Sequence, residues 1–187
     1  DKLPSNLGYL LHEIPKGVSK SILRRESFKQ LFMVMDAYEE RKRTPLPFQN
    51  LSYTRWLVRG KVIYNILINW EELKAYFSVV LPIDPVNFLY FQFVSPVVTD
   101  FERLNSLFQT TDADPEYLVK CYFCTISLQN RILNKNAELL PVNKIDYGAK
   151  FTQELNTYIE RQPHSAQVVE IAADIKQRCT YFLCEAL

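Results

Sequence analysis

What this chain lacks is glycine, with only 4 among 187 residues. Tight hairpins need positive φ at their centre, which glycine or an Asn-Gly or Asp-Gly pair supplies, so strands here have few ways to fold back on one another. Proline does the punctuating instead, at 10 positions. Two of these follow an aspartate, Asp84-Pro85 and Asp114-Pro115, the order in which a side-chain oxygen caps a helix and a fixed φ starts it. The expectation is an all-α fold, an irregular helical bundle, with at most a short extended segment near 45–53.

Apolar periodicity supplies the helices. A first runs from Ser5 toward Ile14 and stops near Pro15-Lys16-Gly17, and a second carries Phe28, Leu31, Phe32 and Met35 up to the charged stretch Glu39 to Arg43. Thr54 is placed to cap a third, whose Ile63, Ile66, Trp70, Leu73 and Phe77 share one face to about Val80 while Lys61, Asn65, Asn69 and Glu72 take the other. Behind Asp84-Pro85, the residues Phe88 to Val94 are apolar on nearly every side, so that segment is either central or covered by a partner. Tyr117 to Cys124 reads the same way and is expected to be the hub of the bundle. A helix over Asp146 to Glu160 and a last one with Val168, Ala172, Ile175, Cys179, Phe182 and Ala186 on one seam complete the series.

Two regions are expected, a basic helical one over 1–44 and a compact helical domain over 45–187. Hydrophobic residues make up 48% and charged residues 23%, the balance of a chain that buries a core without needing disulfides or metals. The longest apolar run, Phe88 to Val98, is broken by Gln92, Ser95 and Pro96 and falls short of the roughly 20 residues of a membrane crossing. No membrane association is expected.

Net charge is +1, but residues 1–61 carry twelve Lys or Arg against six acids and residues 62–187 carry ten against fifteen. Lys16, Lys20, Arg24, Arg25, Arg55, Arg59 and Lys61, with Trp56, are therefore the candidate nucleic-acid-binding residues, since polyanions are held by clustered cations. Cations at helical spacing with Glu26, Glu39 and Glu40 between them equally describe an ordinary solvated face.

Enzymatic signatures are missing from the pattern. Cys121 and Cys124 share a helix face, but Cys179 and Cys184 are five apart and do not, so a four-ligand zinc site is not expected and the thiols read as small apolar residues. His12 and His164 belong to no nucleophile signature, and Glu71-Glu72 and the Asp112, Asp114 pair read as surface and cap. There is no glycine-rich phosphate loop. No cofactor, no metal, no catalytic residue and no small-molecule substrate are expected.

The run Thr54-Arg55-Trp56-Leu57, with Trp70 fourteen residues after Trp56 and then Leu73, Tyr76 and Phe77, resembles a junction of the hAT superfamily of DNA transposases and its domesticated cellular descendants. Leu3 to Leu31 and the helix from Gln177 to Leu187 are similar to the flanking parts of the same proteins in helix pattern and apolar anchors. The chain departs from the family at Val58, where a serine is common, which leaves any polar role of that position in doubt. In the family this junction leads from an RNase H-like core into a helical insertion.

The resemblance implies that the catalytic acids lie outside this chain, which is then a fragment of a longer protein and not itself an enzyme. It further implies a nuclear location and a non-catalytic role in protein interaction or oligomerisation, with a chromatin or transcriptional setting. Phe88, Tyr90, Phe91, Phe93, Tyr122 and Phe123 are the candidate protein-interface residues, because interface cores are rich in aromatics and poor in charge. The alternative is a DNA-handling insertion region of an active transposase, with Arg55 and Trp56 near the DNA. On its own chemistry Trp56 is also a plain packing anchor. A protein partner or a second copy of the chain is the expected occupant, with DNA as the other.

Overall fold

The computed structural model describes residues 3–38, 47–48, 59–78, 84–108, 115–162 and 166–186, with the side chains at 107, 108, 115, 117, 118, 124 and 166 excepted. Among these residues the fold is all-α, eight helices with one short 3-10 turn and a single isolated β-bridge. The junction residues Thr54, Arg55 and Trp56 lie outside the described set, as do Asp112, Asp114, His164 and nearly all of the segment 45–53.

Contacts divide the chain into two compact units, Ser5–Phe91 and Gln92–Leu187, the second taking in Asp1–Pro4. The contacts place their boundary between residues 91 and 92, away from the division expected at residue 44. The reason is packing, because the two helices before that point bury their faces against the two that follow it.

In the first unit, α1 (Asn6–Ser19) aligns Leu7, Leu10, Ile14 and Val18 on one buried stripe. It does not stop at Pro15. Proline removes one helical N–H, but Pro15 is itself buried, its carbonyl accepts from Ser19 Oγ at 2.6 Å, and burial of Val18 one turn on holds the helix together. Gly17 is where α1 touches its neighbour: a β-carbon there would lie 2.8 and 2.9 Å from two ring carbons of Phe77. Helix α2 (Ile22–Tyr38) buries Phe28 and Phe32 and leaves most of its length exposed.

The Trp-bearing helix expected over 54–80 is two helices, α3 (Arg59–Ile68) and α4 (Trp70–Phe77). Asn69 makes the joint. Its side chain, almost fully buried, donates to the Asn65 carbonyl at 2.7 Å and so competes with the backbone ladder, a habit of asparagine that no apolar periodicity reveals. Val62, Ile63, Ile66, Trp70, Leu73 and Phe77 still share the core. Helix α5 (Pro85–Phe108) opens as expected, with Asp84 Oδ1 accepting from Val86 N at 2.8 Å; its Leu89, Tyr90 and Phe91 are buried, Phe91 edge-on to Trp70 at 6.2 Å.

The second unit contains the rest of α5, then α6 (Pro115–Asn130), α7 (Ala149–Arg161) and α8 (Ala166–Ala186). Phe93, without any exposure, lies at its centre with Tyr147, Phe151 and Phe182 around it at centroid distances of 6.4, 5.7 and 5.9 Å. Phe93 is thus a hub of this unit, while in the 117–124 segment expected to fill that role Cys121 is buried but Tyr122 and Phe123 point to solvent. Helix α7 begins at Ala149, later than expected, because Gly148 at φ 94° turns the chain into it and Asp146 Oδ1 accepts the Gly148 N–H at 2.8 Å. The α8 seam is as expected, with Val168, Ala172, Ile175 and Cys179 buried and Phe182 half-buried. No helix among the described residues is long and apolar enough to cross a membrane.

Candidate functional site

Between α6 and α7 the chain forms a loop that holds the Leu133–Leu139 bridge and the 3-10 turn Val142–Lys144 and is tightly tied. Leu140 N donates to the Ile132 carbonyl at 2.7 Å and Asp146 N to the Arg131 carbonyl at 2.9 Å, while Arg131 Nε returns a bond to the Asp146 carbonyl at 3.0 Å. At the tip, Asn134 Oδ1 accepts from the backbone of Asn136 and Glu138 at 2.8 and 3.0 Å, the Asx geometry that lets a loop reverse without glycine, and Ala137 takes φ 58°. The inward side chains of this loop, Ile132, Ile145 and Tyr147, are buried. That leaves Leu139 and Val142 facing outward, 54% and 46% exposed.

Those two side chains form one wall of a groove of about 620 Å³. Ile159 of α7 contributes to it, and α8 forms the other wall with Val169, Ala172, Ala173, Lys176, Gln177, Thr180 and Tyr181. Val169 is 67% and Tyr181 50% exposed, a large apolar face for one side of a helix. Among the described residues Lys176 is the single charged one in the lining.

Polar contacts fix the floor. The Tyr147 hydroxyl lies 2.8 Å from Thr180 Oγ1 and 3.2 Å from the Val142 carbonyl oxygen, and Thr180 Oγ1 lies 2.9 Å from the Lys176 carbonyl oxygen. The loop wall is thereby pinned to α8. Burial raises the Tyr147 pKa, with the bond to Thr180 acting the other way, and burial alone pushes the neighbouring Cys179 thiol far up. Both groups are neutral at physiological pH, and neither is poised for chemistry. Beside them Gln177 Nε2 donates to Tyr181 Oη at 3.0 Å, which orients the ring at the groove edge.

The aromatics expected at an interface separate sharply. Tyr90, Phe91 and Phe93 are 2%, 1% and 0% exposed, so they are core residues, and Phe88 is half-buried against Trp70 at 5.2 Å. For Tyr90, Phe91 and Phe93 this corrects the assignment to a docking surface, since an enclosed ring has no face left to offer a partner, while Phe88 keeps part of its ring exposed. Tyr122 and Phe123 stay available at 65% and 63%, edge to face with each other and on one side of α6 with the exposed Val119. The groove residues Leu139, Val142, Val169 and Tyr181 were missed. One signal was present in the sequence: Val169 stands beside the Val168 seam, outside the stripe the core needs.

The expected nucleic-acid residues are likewise divided. Lys20, Arg24, Arg25, Arg59 and Lys61 are exposed, Lys16 is tied to Glu13 at 3.2 Å, and Arg55 and Trp56 fall outside the described residues. Among the described residues there is no grouping of three or more His, Cys, Asp or Glu able to hold a metal ion. No family model, no curated protein and no solved structure matches this chain.

Proposed function

We propose that this chain is a non-catalytic helical module for protein interaction or oligomerisation, belonging to a domesticated hAT transposase-like protein that works in the nucleus. The ancestry rests on the Thr54 to Phe77 run and its flanks. The interaction role rests on one observation, the groove bounded by Leu139, Val142, Val169 and Tyr181, whose apolar walls are exposed and whose floor is pinned by Tyr147 and Thr180. An apolar groove with one charged residue in its described lining suits an amphipathic segment laid along α8, the mode in which anchors at helical spacing fill a preformed cleft.

The test uses a photo-crosslinking amino acid at position 169, with position 160 on the exposed side of α7 as control, in the full-length protein in cells. Adducts of discrete mass formed from 169 and not from 160, and lost with Tyr181→Asp, support the reading. Sedimentation from about 1 to about 100 μM covers the second-copy case. A strict monomer over that range together with no discrete adduct at 169 refutes the interaction role.

A further inference from the structure

We propose that the corner between α1 and α2 is a binding site for an unpaired nucleotide of a single-stranded nucleic acid. The site is a pocket of about 220 Å³ in the first unit, with Arg25 and Lys29 at its lining, Ser19 beside them, and Phe28, Phe48 and Pro47 for walls. It is separate from the groove on α8, and the inference depends neither on that groove nor on transposase ancestry.

Charge comes first. Arg25 and Lys29 are exposed, and among the described residues no acid lines the pocket and neither cation has an ion pair. The same holds for Lys20 and Arg24. Most charged helix surfaces interleave signs, as at Lys74–Glu71, Lys120–Glu116 and Arg178–Asp174, each closer than 3 Å. Lys20, Arg24, Arg25 and Lys29, with one exposed acid, Glu26, among them, leave a net positive charge at this helix corner, a local field that attracts an anion.

Shape narrows the anion. Phe28 is 3% exposed and forms the floor, with Phe48 edge-on to it at 5.7 Å and Tyr76 at 5.5 Å behind. Phe48 is only half-buried and Pro47 is exposed, so an entering planar group meets ring and pyrrolidine faces. The volume suits one flat ring and is too small for a helix. A ring with a negative charge beside it is the repeating unit of a nucleic-acid strand, and aromatic walls within a cationic groove are how single strands are held. Lys20 and Arg24 extend the positive charge beyond the pocket, which fits successive phosphates better than an isolated one. In a duplex the base is stacked and paired, and its face is not free to enter.

The experiment is fluorescence anisotropy with a labelled oligothymidylate of about 15 nucleotides, an abasic phosphodiester of the same length, and polyglutamate. The oligothymidylate is expected to bind at least roughly tenfold more tightly than the abasic strand, the value of stacking about one base. Arg25→Ala with Lys29→Ala should reduce the slope of log affinity against log salt by about 1.4, two phosphates' worth of released counterions. Phe48→Leu should narrow the gap between base and abasic strand and leave that slope alone, with circular dichroism confirming the fold. Val169→Asp in the groove should change none of this. Equal binding of the abasic strand or of polyglutamate reduces the site to general charge attraction and overturns the proposal. So does an unchanged salt slope in the double variant, or no binding of oligothymidylate at low salt.

Discussion

The contact between Tyr147 and Thr180 allows an internal test of how the groove is held. Two hydroxyl groups make three oxygen contacts, 2.8 Å to each other, 3.2 Å from Tyr147 to the Val142 carbonyl and 2.9 Å from Thr180 to the Lys176 carbonyl, yet they own two hydrogens. The shortest pair of contacts is satisfied when Tyr147 donates to Thr180 and Thr180 donates to Lys176. Tyr147→Phe then removes one buried hydrogen bond without orphaning the Thr180 donor, a loss of about 1 kcal/mol. For a chain of this length that is about 2 to 4 °C in Tm. Thr180→Val costs less, because Tyr147 can turn to the Val142 carbonyl. The cycle should show a coupling of about 0.5 to 1 kcal/mol between the two positions in urea titrations followed by circular dichroism. Since burial raises the Tyr147 pKa, the folded state holds its proton more tightly than the unfolded state, whose tyrosine ionises near the ordinary 10.0. That contribution is complete below the ordinary value and is lost as pH rises through the folded pKa, so the stability gap between wild type and Tyr147→Phe should shrink in alkali. Strict additivity of the two substitutions, or a gap that widens at high pH, refutes the argument.

Three further outcomes follow from the packing. Phe93→Ala should lose about 3 to 5 kcal/mol by leaving a cavity among three rings, whereas Phe123→Ala should stay within about 0.5 kcal/mol; thermal melts of the two variants read this directly. Gly17→Ala gains about 1 kcal/mol of helix propensity but pushes a methyl into the Phe77 ring, so a net loss of about 1 kcal/mol is expected, relieved in a Phe77→Leu background. Iodoacetamide followed by peptide mass mapping should label the exposed Cys184 well before Cys179, which is buried and whose thiol pKa burial pushes far up.

Helical character was legible because periodicity is local. The α8 seam from Val168 to Cys179 and the start of α5 behind Asp84 depend on spacing and on a cap, both written in a few consecutive residues. Pro15 was misread for the complementary reason: the rule that proline ends a helix is local, and burial of Val18 against other elements outweighs it. The two all-apolar segments show where sequence reasoning stops. Phe88 to Val94 and Tyr117 to Cys124 carry the same pattern, yet one supplies core residues and the other puts Tyr122 and Phe123 in solvent. Composition counts apolar side chains but does not say what covers them. The groove was out of reach altogether, because residues 139, 142, 159 and 169–181 meet only once the loop after α6 has been folded by Asn134 and Arg131.

Helix α5 has an implication for anyone who wants to dissect the molecule. Phe91 closes one hydrophobic interior and Phe93, two residues later in sequence, occupies the middle of the other. Cutting between them severs six turns of continuous backbone and strips a wall from each half, so neither piece is expected to express as a well-behaved fragment. Truncations should overlap, with residues 84–108 retained in both. By the same logic, shuffling or insertion at this point is expected to be poorly tolerated, even though it is where contacts draw the boundary.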